Sequence, residues 1–212
     1  ELAADNVVDG YANNAHALWV SPILSEQYSE LAEELAREVL DRQQQWSNCD
    51  VSESGTAQCA KEFFQAFGRE CFRRPLSDEE LQRYFNLWYQ VASEDGYEEG
   101  LYWAVTALLQ SPNFLYRSEL GSFDGRAFVL NGYEIAGELS YALTGTMPDN
   151  ELLNAAQSGV LTQPEVLLAQ AQRLLGSDLS SDRFWEFIEA WLGLGKLETV
   201  ARSEEVYPEL TT

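Results

Sequence analysis

The sequence predicts an all-α protein, a multi-helix bundle-like array that two packed helical subdomains would also satisfy. Three observations carry that expectation. Helix-capping signals recur from Ser21 to Pro164. Apolar residues between them repeat at three- and four-residue spacing, and no β-alternating run of useful length interrupts them. Hydrophobic residues make up 45% of the 212 positions and aromatics 12%, an ordinary globular composition with enough chain for one large domain or two small ones.

Taken in order, Ser21-Pro22 opens the first long helix, a cap residue followed by proline at the first helical position. Leu24, Tyr28, Leu31, Leu35 and Val39 fall on one face, while Glu26, Glu30, Glu33, Glu34, Arg37 and Glu38 occupy the rest. A second helix follows Thr56, with Cys59, Phe63 and Phe67 in register. Ser77-Asp78-Glu79-Glu80 is a capping box leading into Leu81, Tyr84, Phe85, Trp88, Val91 and Ala92, and Gly96 ends that helix. Leu101, Ala104, Val105, Leu108 and Leu109 mark the next, which stops before Ser111-Pro112. Gly121 to Gly125 reads as a linker, and Arg126 to Leu130 as a stretch able to pair briefly.

Beyond it, Asn131 with Glu134 caps a helix carrying Ile135, Leu139, Ala142 and Leu143. A short helix around Glu151 to Gln157 ends at Gly159. Thr162-Gln163-Pro164-Glu165 reads as another capping box, opening a helix with Val166, Leu167, Ala171, Leu174 and Leu175 that Gly176 terminates. The last helix holds Phe184, Ile188, Trp191 and Leu192, and most Trp and Tyr residues fall on faces expected to pack a core.

Charge narrows the partners. There are 35 Asp and Glu against 13 Lys and Arg, a formal net charge of −22, and the only lysines are Lys61 and Lys196. Such a field repels phosphate backbones and anionic lipid, so neither nucleic acid nor a membrane surface is expected as a partner. The acids are dispersed, which favours a solubilising coat over a dedicated Ca²⁺ or basic-ligand site. No apolar stretch approaches the roughly 20 residues of a membrane helix; Leu101 to Leu109 is short and interrupted by Thr106. The first residue is Glu1, and no signal peptide is present, so the chain reads as a processed or excised segment.

Cys49 and Cys59 bracket the polar loop from Asp50 to Thr56, which folds back easily. A disulfide closing it is expected to contribute about 2–3 kcal/mol. Zinc lacks support, because neither C-x-x-C nor a nearby His supplies further ligands. Cys71 lies among aromatics and reads as a buried free thiol.

Other candidate sites are few. Asp5-Asn6-Val7-Val8-Asp9-Gly10 begins like a calcium loop but has Val7 at the third ligand position and His16 at the twelfth, so it reads as a turn. His16 is the only histidine, with no Ser or Cys beside it to form a nucleophile–base pair. It and Met147, the only methionine, are weak candidates for cofactor ligation, and packing residues are the preferred reading for both. With 35 acids, carboxylate pairs arise by chance, so a glycosidase dyad is not supported. The densest basic patch holds Arg69, Arg73 and Arg74. Its guanidiniums suit a carboxylate ligand or a haem propionate, but ties between helices through internal Asp and Glu partners are favoured. No catalytic residue is expected in this chain.

Three blocks of sequence carry a resemblance. The first runs from Asn13-Asn14-Ala15 through Val20-Ser21-Pro22-Ile23-Leu24 to Gln27-Tyr28. The second joins Phe67-Gly68-Arg69 and Phe72-Arg73-Arg74-Pro75-Leu76-Ser77-Asp78-Glu79-Glu80 to Leu109-Gln110-Ser111-Pro112-Asn113-Phe114-Leu115-Tyr116-Arg117. The third holds Tyr133-Glu134-Ile135-Ala136, Leu139-Ser140-Tyr141, Met147-Pro148-Asp149-Asn150-Glu151-Leu152 and Trp191-Leu192-Gly193-Leu194. Each resembles a planctomycete-type domain of unknown function, of the kind that accompanies cytochrome c-like modules in large exported proteins.

The resemblance divides the chain into residues 1–47 as the end of a first block, 48–120 as a helical domain with the F-R-R-P-L signature, and 126–212 as a helical domain breaking off near Thr212. It implies a periplasmic or extracellular location and a haem c module further toward the C-terminus, the expected partner. Haem is not carried over to this chain, which has no C-x-x-C-H. The expectation is a non-catalytic scaffold or interaction region of an exported, cytochrome c-associated redox protein. The alternative is an extracellular polysaccharide-binding or polysaccharide-active protein using exposed aromatics.

Overall fold

The computed structural model describes residues 2, 20–117 and 119–194. Among the described residues it contains ten helices and one two-stranded sheet, so the protein is all-α and bundle-like. The helices are α1 (Pro22–Asp41), α2 (Val51–Ser54), α3 (Thr56–Phe72), α4 (Asp78–Asp95), α5 (Tyr97–Leu109) and α6 (Pro112–Leu115), followed by α7 (Gly132–Thr144), α8 (Asn150–Gln157), α9 (Pro164–Leu175) and α10 (Asp178–Leu192). None of them is long and apolar enough to cross a membrane.

Local chemistry sets most of the boundaries. Ser21 caps α1, its Oγ accepting from the Leu24 N–H, with Pro22 at the first position. Full capping boxes open α4 through Ser77 and Glu80 and α7 through Asn131 and Glu134. The box expected at Thr162 does not form. Thr162 belongs to a 3-10 turn, Val160–Thr162, and Gln163 is the residue before Pro164 starts α9. Pro164 takes the first helical position, leaving Thr162 one residue too early to cap. The linker expected at Gly121 to Gly125 is partly strand: Ser122–Phe123 (β1) pairs antiparallel with Phe128–Val129 (β2).

Two separate cores form. The first gathers Phe63, Phe64, Phe67, Tyr84, Trp88, Leu101, Val105 and Leu108 from α3, α4 and α5, together with Ala32 and Ala36 of α1. Helix α1 therefore packs onto α5 and completes this core rather than building one of its own. The second core is smaller, with Ala136, Leu152, Ala156, Leu161 and Leu174 at its centre.

Small residues, not the largest apolar ones, mark the innermost lines of two helices. On α1 the buried line is Leu24, Ala32 and Ala36, whereas Leu31, expected on the core face, is exposed. On α7 it is Ala136, Ser140 and Thr144, and Ala142 points outward. Short side chains let helix axes approach, and longer ones flank the line of contact. The Thr144 hydroxyl donates to the Ser140 carbonyl, satisfying itself inside the core. The clearest departure from expectation is α10, where Phe184, Trp191 and Leu192 are exposed rather than packed.

Candidate functional site

The arginine cluster sits where the two modules meet, and the end of α3 places it there. After Phe72 the backbone turns left-handed at Arg73, φ 57, an unusual conformation for a residue with a side chain. That turn aims the Arg73 guanidinium at α6. It donates to the carbonyl oxygens of Asn113 at 2.7 Å, Tyr116 at 2.7 Å and Phe114 at 3.2 Å. A one-turn helix leaves its last carbonyls without partners, so Arg73 serves as an external C-cap.

Arg74 forms a two-pronged pair with Glu80, both contacts 2.8 Å. Glu80 also accepts from the Ser77 N–H and from Asn113 Nδ2. The Arg74 hydrogen bonds outweigh burial and hold the Glu80 carboxyl down at about 2. Arg69 reaches the second module: Nη1 donates to Asn150 Oδ1 at 3.2 Å and Nη2 to Asn154 Oδ1 at 2.7 Å. Its Nε is buried without a partner. Internal Asp and Glu partners were expected for all three arginines; only Arg74 finds one. Carbonyls and amides hold the other two, because the neighbouring chain offers exposed backbone at α6 and an i, i+4 pair of asparagines on α8.

Two clefts flank this junction. The polar one, about 340 Å³, is lined by Arg73, Arg74, Asn113, Arg117, Glu134 and Glu138. The apolar one, about 360 Å³, is lined among others by Phe67, Cys71, Leu109, Phe114, Tyr141 and Met147. Arg73 borders both.

Carboxylates around the polar cleft differ in environment. Burial pushes the Glu134 carboxyl up, but the N–H groups of Asn131, Gly121 and Leu120 outweigh it and hold it below its ordinary value. Glu138 is raised, first by a hydrogen bond with Glu119 and then by burial, with Arg117 pulling the other way. Arg117 lies 3.6 Å from Glu138, its guanidinium over the Tyr141 ring. On the far side of the second module, Arg173 holds Asp149 at 2.6 Å and draws its carboxyl down.

The remaining candidates are scattered. Cys49 and Cys59 are bonded as a disulfide at 5.3 Å between Cα atoms, tying the chain before α2 to the first turn of α3. Cys71 is a free, buried cysteine whose thiol burial pushes up to about 12. Met147 is part-exposed on the wall of the apolar cleft. His16 and the Asp5–Gly10 segment lie outside the described residues. Among the described residues, no group of three or more His, Cys, Asp or Glu is placed to hold a metal ion. Asn113, Arg117, Asn150 and Asn154 were missed as partners of the cluster. Asn113 and Arg117 stand in the S-P-N-F-L-Y-R string, which was the available signal.

The fold and junction define a class: a two-core helical protein whose arginines brace one module to the next. The family comparisons agree with the order of its segments. The family PSD3, a protein of unknown function (DUF1587), matches residues 1–41, and PSD5, likewise of unknown function (DUF1595), matches 59–119. PSD4, of unknown function (DUF1592), matches 130–212. The chain is thus a succession of segments from these three families. No curated protein and no solved structure matches it.

Proposed function

We propose that the chain is a non-catalytic helical scaffold of an exported, cytochrome c-associated redox protein, docking against a haem-bearing module further along the same polypeptide. The observation that carries this reading is the use made of the polar side chains. Arg69, Arg73, Arg74, Glu80, Glu134 and Asp149 hold helix ends, capping boxes and the seam between modules. Groups engaged in this way are poor acids, bases or nucleophiles. Glu80, held at about 2, and Cys71, held at about 12, keep one protonation state through the neutral range.

The disulfide supports an oxidising, periplasmic or extracellular compartment. A net charge of −22 supports docking to a basic partner surface, with steering that fades as salt screens it. Haem c would belong to that neighbour, because its attachment needs C-x-x-C-H and the spacing of Cys49, Cys59 and Cys71 does not supply it.

The test is spectroscopic. The full-length exported protein should show a Soret band and residues 1–212 alone should not, and the separated modules should associate more weakly as salt rises. Absence of haem from the full-length protein, or haem attached covalently to this chain, overturns the reading. A polysaccharide-binding role draws on the exposed Tyr89 and Trp103. Retention on insoluble polysaccharide, lost in Tyr89→Ala and Trp103→Ala, would favour it instead.

A further inference from the structure

The second module leaves its largest apolar surface uncovered. Helix α10 meets α7 and α9 along one side, where Ser180 is buried and the Arg183 side chain passes over Gly145. Elsewhere it is open. Phe184, Trp185, Phe187, Trp191 and Leu192 are each between 53% and 65% exposed. At about 100° per residue they share one stripe about 160° wide. Phe187 and Trp191 stack within it, centroids 6.2 Å apart.

Charge is distributed unequally beside the stripe. Asp178, Asp182 and Glu189 follow its Trp185–Leu192 edge at helical spacing, and among the described residues they have no ion-pair partner. Arg183 lies on the opposite flank and pairs with Glu186 at 2.9 Å.

We propose that this face of α10 binds an amphipathic helix of a partner protein whose apolar row is bordered by lysines or arginines. The spacing of Phe184, Phe187, Ile188 and Trp191 is the i, i+3, i+4, i+7 ridge that a second helix can straddle. Large aromatic side chains in such a row are the residues that dominate binding energy in protein interfaces. The carboxylate row sets the partner's charge, and it sets it against other occupants. A second copy would bring another chain of net charge −22 to the surface, and anionic lipid would meet the same repulsion. The inference rests on the reading of this chain as a docking scaffold, and not on haem in the partner.

The probe is an 18-residue synthetic peptide of leucine and lysine, leucines at helical i, i+3, i+4, i+7 spacing, added to residues 1–212 at low ionic strength. Saturable binding with a blue shift of tryptophan emission is expected. The double variant Phe184→Glu, Trp191→Glu should bind at least about tenfold more weakly, with far-ultraviolet circular dichroism and Tm unchanged because both side chains are exposed. Asp182→Lys with Glu189→Lys should weaken the lysine peptide and strengthen a leucine–glutamate peptide of the same pattern.

Three results overturn the proposal. One is equal binding by the parent and the Phe184/Trp191 variant, or equal binding of the two peptides. Another is a dimer in sedimentation that Trp191→Glu dissociates, which assigns the face to a second copy. The third is an acrylamide-quenching profile that Trp185→Phe and Trp191→Phe leave unaltered, meaning that the chain already covers its own α10. Peptide binding through α10 without association with a haem module would remove the cytochrome reading and leave this one standing.

Discussion

Replacing Arg73 with alanine removes three hydrogen bonds that terminate α6. Two of the accepting carbonyls, those of Asn113 and Phe114, are part-buried, and that of Tyr116 is reached by water. Charge-assisted bonds contribute about 1.5–3 kcal/mol each, but one guanidinium makes all three and one acceptor resolvates, so the net loss is about 2–4 kcal/mol. At about 2–4 °C per kcal/mol for a domain of this size, Tm should fall by roughly 5–12 °C. The backbone supplies an internal control. Arg73 sits at φ 57, where a side chain costs about 1 kcal/mol and glycine is at ease. Arg73→Gly should therefore melt about 2–4 °C above Arg73→Ala, although both lack the guanidinium. Arg73→Lys should fall between parent and alanine, since one ammonium cannot span three carbonyls. Scanning calorimetry reads all three. An alanine variant that melts with the parent, or a glycine variant that melts below alanine, refutes the reasoning.

The Cys49–Cys59 bond closes a loop ten residues apart in sequence, and Cys49→Ser should cost about 2–3 kcal/mol in urea titration. Alkylation without reductant should leave the native chain unmodified and, in denaturant, mark Cys71 alone; label at 49 or 59 would refute the bond. The Glu80 carboxyl lies at about 2 in the folded chain against an ordinary 4.5, so the unfolded chain binds more protons. Its contribution is full above pH 4.5 and disappears as pH falls toward 2. Glu80→Gln should lower stability at neutral pH and flatten the acid limb, and an unchanged limb would assign that slope to other carboxyls. A Cβ at Gly100 would stand 2.8 Å from Ala92 Cβ, Trp88 Cδ1 and the Trp88 carbonyl. Gly100→Ala should therefore force α4 and α5 apart at a cost of about 1–3 kcal/mol. Gly137→Ala meets nothing within 4 Å and should stabilise α7 by up to about 1 kcal/mol. Chemical denaturation giving both the same sign would refute the packing argument.

Much of the local structure was legible in the residues. Ser21-Pro22, Ser77 with Glu80 and Asn131 with Glu134 define helix starts because capping involves atoms only two or three residues apart. The Cys49–Cys59 loop is short for the same reason. The box at Thr162 failed on a competing local rule, proline at the first helical position. The arginine cluster stood out as a feature, but its partners did not. Arg73 bonds to backbone some 40 residues away and Arg69 to amides 81 and 85 residues away, and carbonyls and asparagines carry no charge signature to pair by inspection.

By itself the sequence determined the all-α class, the disulfide and the positions of most helix ends, all of which depend on composition and short-range geometry. Tertiary structure decided the rest. It set α1 against α5, so that segments of two families share the first core. It placed Ala32, Ala36, Ala136 and Ser140, rather than the largest apolar residues, on the lines of closest contact. It also left the aromatic stripe of α10 facing outward. Hydrophobic periodicity says which face of a helix prefers to leave water. What that face meets depends on how closely other helices can approach it, and side-chain volume distributed across distant segments fixes that distance.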